Sequence, residues 1–302
     1  MSGGLDSQLA IKVLERAGAI IEAVTFVTPF FDSAKAEKAA LALGVKLHII
    51  DFLEDEVELL ENPPHGFGGA MNPCIDCHAR MIRRAGELMA RLGYDFVATG
   101  EVSGQRPMSQ NAQSLIMVEK SSGLKGRLIR PLSAKLLEPT IPELEGKIDR
   151  EQLLDISGRS RDRQLALAAE FGITDFPSPA GGCKLTEAAF GRRLKDLMDY
   201  EGLRTQDGKV DREAIELLKI GRRFRLPDGS SVILGRDAKD NCLLKGLAGT
   251  ILEPEGDLPG PTAYIRNLKS SADLVLTRGI VRAWSRGTAE LDRAPYKPYQ
   301  LV

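Results

Sequence analysis

Long apolar runs are missing from this 302-residue chain. No stretch of about 18 apolar residues occurs, which excludes a membrane-spanning helix from the expected architecture. An excess of one charge is missing too. The 41 basic residues face 42 acidic ones, so no uniform field announces a polyanionic partner. Cysteine is scarce at four residues, too few for a disulfide scaffold. The opening Met1-Ser2-Gly3-Gly4 carries neither the basic stretch nor the apolar segment of a secretory signal. A reducing cytoplasm is therefore the expected compartment, and thiols grouped there suggest metal or redox work. No internal repeat or low-complexity segment is present. What remains is an ordinary globular composition, 43% hydrophobic and 27% charged, at a length that suits two domains.

The first stretch alternates helix and strand signals. Residues 7–17 and 33–43 have apolar residues at helical spacing, the second closed by Gly44, and residues 77–92 repeat the pattern with Met81, Ile82, Ala85, Leu88, Met89 and Leu92 on one face. Residues 20–27, 45–51 and 94–100 read as short strands between them. Helices between short apolar strands predict parallel βαβ units. In such a sheet, ligands sit at the carboxyl ends of the strands. Two loops rich in glycine and proline, 62–76 and 177–183, each deliver cysteine. Residues 131–187 hold two short helical patterns besides the second loop, and 187–200 form a further helix. After about residue 205 the texture changes. FRLPDGSSVILG (224–235) predicts a hairpin around a Pro-Asp-Gly turn, and residues 263–267 and 274–284 add strand character. Residues 201–302 carry 17 basic and 14 acidic side chains. The expected division is 1–125 for an α/β nucleotide domain, 126–204 for a helical extension carrying the second cysteine loop, and 205–302 for a smaller β-rich module.

The hexapeptide Ser2-Gly3-Gly4-Leu5-Asp6-Ser7 stands directly before a predicted helix. Two glycines let backbone N–H groups turn toward an anion, and the helix N-terminus adds its dipole. Ser2 and Ser7 supply hydroxyls, and Asp6 can help hold Mg²⁺ on a polyphosphate. The plainer reading is a tight turn with an Asp/Ser cap. The Gly-Lys-Ser/Thr ending of a Walker loop is absent. SGGLDS resembles instead the pyrophosphate loop of the PP-loop ATP pyrophosphatases. That resemblance implies a parallel sheet with flanking helices, cleavage of ATP between its α and β phosphates, and an adenylated oxygen from which a nucleophile displaces AMP. It also implies a strand ahead of the loop. In this sequence only Met1 stands there, so the first strand of the sheet is expected to be missing.

Asn72-Pro73-Cys74-Ile75-Asp76-Cys77 leads into a helix, and Cys183 follows Gly181-Gly182. A thiol near a helix N-terminus is expected to have a lowered pKa. With SGGLDS, these elements resemble the tRNA 2-thiouridylase (MnmA/TrmU) branch of the same family over roughly residues 1–200, in its divergent TrmU-like members. The resemblance implies an ATP-dependent sulfurtransferase acting on tRNA uridine, with Mg²⁺, and with a sulfur donor protein or sulfide as partner. Two chemistries stay open for Cys74, Cys77 and Cys183. They hold a [4Fe–4S] cluster with one open iron, or one thiol carries a persulfide and another resolves it. Zinc on the three thiols with His78 or His65 is a third assignment.

In family terms Thr99 and Gly100 lie near the phosphates or ribose, and backbone about Thr25 to Val27, with Phe26, holds the adenine. The polar loop Gln105–Gln110 is expected to reach substrate or ATP. Thiouridylases commonly show His after Thr-Gly, and this chain has Glu101. His48 reads as a core histidine. Lys135, Arg159, Arg161 and Arg163 form a basic run suited to RNA phosphates. In the C-terminal module, Asp228, Gly229, Gly235, Arg236 and Asn241 resemble the signature of the NFACT-R type RNA-binding domain. Arg222, Arg223 and Arg236 are its expected RNA contacts. Two rivals stand beside the tRNA reading: a PP-loop sulfurtransferase or amidotransferase acting on a small molecule, and a non-catalytic RNA-binding protein with a degenerate PP-loop fold.

Overall fold

Leu5, Leu9 and Val13 recur every four residues, which puts them on one helical face. That face is buried when residues Leu5–Arg16 form α1, with the three side chains 0–1% exposed. Asp6 in the first turn and Arg16 in the last turn complement the helix dipole. The computed structural model describes residues 1–106, 109–178, 182–256 and 258–301. Pro107 and Met108 of the polar loop and Gly181 of the second glycine turn lie outside them. The chain divides into two compact units, Met1–Thr186 and Glu187–Val302.

In the first unit α1 is followed by β1 (Ala23–Val27), α2 (Ala34–Leu43), β2 (Leu47–Asp51), α3 (Leu53–Glu61), α4 (Cys74–Leu92), β3 (Val97–Ala98), α5 (Ala112–Ser122), β4 (Leu128–Ile129), α6 (Ile141–Leu144) and α7 (Asp162–Glu170). Helices α2 and α4 stop where Gly44 and Gly93 adopt left-handed backbone. The strands pair in parallel, β1 with β2 and β3 with β4, as the βαβ pattern predicts. Among the described residues β1 and β3 are not hydrogen-bonded to each other. Val97 and Thr99 donate toward the β4 side, so Phe96 and Ala98 present their backbone groups to the opposite edge. Between β1 and β3 lies a cavity of about 1480 Å³. Its walls include Val24 and Phe26 of β1, Val97 and Ala98 of β3, Leu14 of α1 and Ile82 of α4.

The second unit comprises α8 (Ala188–Tyr200), α9 (Arg212–Leu217), β5 (Arg222–Arg225), β6 (Ser231–Leu234), α10 (Ala238–Lys245), β7 (Thr250–Leu252), β8 (Ala263–Arg266), α11 (Ser271–Ala283) and β9 (Gln300–Leu301). Its antiparallel sheet runs β7-β8-β6-β5-β9. The hairpin predicted at 224–235 forms as β5 and β6, with Phe224 opposite Val232. Strand β6 is buried at every residue, because Val232 and Leu234 face one apolar cluster and Ile233 faces another.

Residues 274–284, expected as strand, are helix α11. β-branched residues misled the reading, while the cap and the spacing decide. Ser270 Oγ accepts from the Asp273 N–H at 3.1 Å. Thr277, Ile280, Val281 and Trp284 then follow one face into the core. The unit begins at α8 and not near 205, because Arg225 reaches back to that helix. Its guanidinium donates to both Asp196 oxygens (3.1 and 2.6 Å) and to Glu201 (3.0 Å). Gly235 and Asn241 meet in the second unit. A Cβ on Gly235 would lie 2.0 Å from Asn241 Oδ1, and that oxygen accepts from the Thr262 N–H.

Candidate functional site

The SGGLDS turn is built by close approach. Gly3 has φ +75, and a Cβ there would sit 2.3 Å from the Lys35 carbonyl oxygen. Any other residue at position 3 therefore meets both strain and backbone. Gly4 caps α1, and Ser7 Oγ donates back to the Gly4 carbonyl at 2.8 Å. Gln8 Nε2 ties the Gly3 carbonyl to that of Asp175, both at 3.0 Å. From the other side Gly100 presses on α1: a Cβ there would lie 2.7 Å from the Asp6 backbone. The end of β3 and the start of α1 thus meet through glycine.

Ser2, Gly4, Leu5, Asp6 and Ser7 line the large cavity of this unit, and so do Phe26, Thr99 and Gly100. Cys74, Cys77 and Cys183 line the same cavity. Cys74 begins α4 and accepts from Asn72 Nδ2 at 3.2 Å. Cys183 is held by its neighbour Lys184, whose N–H donates to the Phe30 carbonyl at 3.0 Å. Both lie within electrostatic reach of Cys77.

Cys77 corrects one expectation. Its thiol is not activated: burial, and then the charge of Glu56, push its pKa well above the ordinary value. Cys77 Sγ donates to Glu56 Oε2 at 3.3 Å. Burial raises Glu56 to about 7, against the pull of that hydrogen bond.

Among the described residues no group of three His, Cys, Asp or Glu is placed to hold an ion. Cys74 and Cys77 are instead engaged with Asn72 and Glu56. The assignment of zinc with His65 also meets a competing bond, because His65 Nδ1 pairs with Asp76 Oδ1 at 2.6 Å.

Glu101 replaces the expected histidine with a buried ionic network. It accepts from Arg130 Nε (2.9 Å) and Thr99 Oγ1 (3.0 Å), and its other oxygen lies 3.4 Å from His78 Nδ1. Burial alone would raise its pKa. His78 and Arg130 overcome that and hold it at about 2. The histidine of this wall therefore comes from α4, next to Cys77.

Asp6 is also half-shielded. Burial raises its pKa, while the hydrogen bond from Gln105 Nε2 (3.1 Å) and the charges of Arg161 and Arg106 pull it down. Gln105 thus reaches the turn as the polar loop suggested. Asp6 Oδ1 is buried without a hydrogen-bond partner among the described residues. An orphaned carboxylate oxygen on a phosphate-type turn fits a Mg²⁺ ion.

The basic residues separate. Arg159 and Arg161 line the cavity, whereas Arg163 pairs with Asp155 at 2.6 Å. In the second unit Arg236 is exposed and bound to Asp240 at 2.8 Å, and Arg222 is half-buried. Arg223 is 0% exposed, which puts it out of reach of an outside ligand. His48 is half-buried and bonded to Glu22, 2.5 Å away. The sequence reading missed Glu56 and Arg130. Glu56 carried a signal, because it sits on the buried stripe of Leu53, Val57 and Leu60 along α3, where a carboxylate needs a reason.

No family model matches the chain. A tRNA-specific 2-thiouridylase MnmA of Marinobacter nauticus is 24% identical over 88% of this chain and 73% of its own length. A second protein of that name, from Sulfurimonas denitrificans, is 35% identical over 33% of this chain and 32% of its own length. A probable tRNA sulfurtransferase of Caldanaerobacter subterraneus is 29% identical over 44% of this chain and 35% of its own length. The chain thus spans about three quarters of the first relative and about a third of the other two. The likeness to tRNA-thiolating enzymes carried by SGGLDS and the cysteine motifs is borne out by these relatives. Among the described residues no helix is long and apolar enough to cross a membrane.

Proposed function

We propose that this chain is an ATP-dependent tRNA sulfurtransferase that thiolates uridine. One observation carries the reading: the phosphate-type turn and three thiols remote in sequence line one cavity. The relatives' names supply the substrate class. The two parallel strand pairs belong, in this reading, to one PP-loop sheet that opens on that cavity.

The turn N–H groups and the α1 dipole take the polyphosphate of ATP. Asp6 would hold Mg²⁺, which offsets the negative charge of the phosphates. The uridine carbonyl oxygen attacks the α-phosphate and pyrophosphate leaves. Electrostatic stabilisation of that charge is the usual dominant contribution. A persulfide on one of Cys74 and Cys183 then attacks the adenylated carbon and AMP departs; the other thiol cleaves the S–S bond, leaving thiouridine and a disulfide that an external thiol reduces.

Cys183 and Cys74 are the working thiols. Cys77, whose thiol donates to Glu56 at 3.3 Å and whose pKa burial and the Glu56 charge push up, is the least suited to carry or attack sulfur. The sulfur enters by redox-neutral exchange from a persulfide on a donor protein. The second unit contributes RNA phosphate contacts through Arg222 and Arg236, and a second basic contact slows release of a large substrate.

Mass spectrometry of tRNA nucleosides from cells lacking the protein tests this directly. One thiolated uridine is expected to disappear and to return with the wild-type chain. An unchanged nucleoside profile sinks the reading and favours a small-molecule substrate.

A further inference from the structure

Arg161 and Asp6 carry opposite charges into the same cavity wall, yet neither is bonded to the other. Asp6 Oδ1 and Arg161 Nε are both buried without a hydrogen-bond partner among the described residues. A desolvated donor left empty is costly, and a guanidinium is a rigid fork suited to phosphate oxygens.

The backbone aims this arginine deliberately. Ser157 bridges to Ser103 in parallel, and the Gly158 N–H donates to the Ser103 carbonyl at 2.8 Å. That bridge ties the arginine loop to the loop of Gln105, which itself bonds Asp6 at 3.1 Å. The Arg161 carbonyl accepts from Leu165 N–H at 2.9 Å and so opens α7. Arg161 is therefore fixed at both ends. Its neighbour Arg163 behaves differently, paired with an exposed carboxylate outside the cavity.

We propose that Arg161 grips the β and γ phosphates of the nucleoside triphosphate, in the same cavity as the Asp6 carboxylate that would hold Mg²⁺. This rests on the nucleotide reading given above. It moves Arg161 from the RNA surface to the nucleotide site. Breaking the bond between the α phosphorus and the bridging oxygen leaves the electron pair on pyrophosphate. A fixed guanidinium there stabilises that charge as it forms.

Titration calorimetry of the full chain with Mg-pyrophosphate, Mg-ATP and AMP tests the assignment. Arg161→Gln is expected to weaken pyrophosphate and ATP by about tenfold or more, the usual worth of a charge-assisted phosphate contact. AMP should stay within about twofold, since it lacks the gripped phosphates. Arg161→Lys should fall between, and Arg91→Gln, an exposed arginine of α4, should match the wild type. A wild-type melting temperature for Arg161→Gln shows that the fold is intact. Equal ATP and pyrophosphate affinities in Arg161→Gln and wild type overturn the proposal, as does a loss confined to tRNA binding. A wild-type chain that binds pyrophosphate through Arg161 but not ATP keeps the clamp and sinks the nucleotide reading. Binding of neither sinks both.

Discussion

Cys183→Ser and Cys74→Ser are each expected to lower thionucleoside formation by about 100-fold or more, the scale on which loss of a covalent nucleophile acts. ATP affinity should stay within about twofold, because neither thiol belongs to the SGGLDS turn or to the residues that brace it. The cavity has two distinct parts. Gly3 and Gly100 brace by close backbone approach the turn that carries Gly4 and Asp6, and no cysteine belongs to that turn. The thiols stand on α4 and on the 183 loop, along the same wall. Cys77→Ser separates the two sulfur chemistries. If a thiol carries the sulfur, this variant keeps measurable transfer, since the Cys77 thiol is engaged with Glu56 at 3.3 Å and its pKa is pushed up. If iron carries it, all three variants fall together and bound iron falls with them.

The second large effect lies in the Glu101–Arg130 pair. Arg130 is 2% exposed and Glu101 8% by side chain, so removing one partner strands a buried charge. Glu101→Gln or Arg130→Met is expected to cost about 3–5 kcal/mol. In a unit of this size that lowers the melting temperature by roughly 6–20 °C. The double variant should lose much less than the sum, which a double-mutant cycle reads directly. The pH dependence has a definite sign. The folded pKa of Glu101, about 2, lies below the unfolded carboxylate value. Its contribution to stability is therefore present above the unfolded value of about 4 and disappears as pH falls toward 2. Wild type should lose stability over that window more steeply than the Glu101→Gln, Arg130→Met double variant. Equal slopes would show that the pair does not carry the stability assigned to it.

Much of this site was legible in the sequence for a physical reason. A turn that must approach backbone leaves glycine at fixed places, and Gly3 and Gly100 marked it. The parallel pairing of β1 with β2 followed from strand–helix alternation, and the 224–235 hairpin followed from its Pro-Asp-Gly turn. Position 274–284 misled because Leu, Val, Thr and Ile suit either period, and only the Ser270 cap discriminates. The start of the second unit was hidden since Arg225 and Asp196 meet across 29 positions, a pairing that local pattern does not encode. Arg223 looked like a surface contact by type, and burial, which composition does not reveal, removed it. Glu101 gave no sign of its partners, because His78 and Arg130 reach it from 23 and 29 positions away.

The central claim is that nucleotide activation and sulfur delivery share one cavity. A single-turnover reaction of the full chain with tRNA, Mg-ATP and a persulfide donor measures it most directly, by counting AMP against thionucleoside. The account predicts AMP release that requires tRNA and equals the thiouridine formed. AMP released equally without tRNA, or thiouridine formed without ATP cleavage, would contradict it.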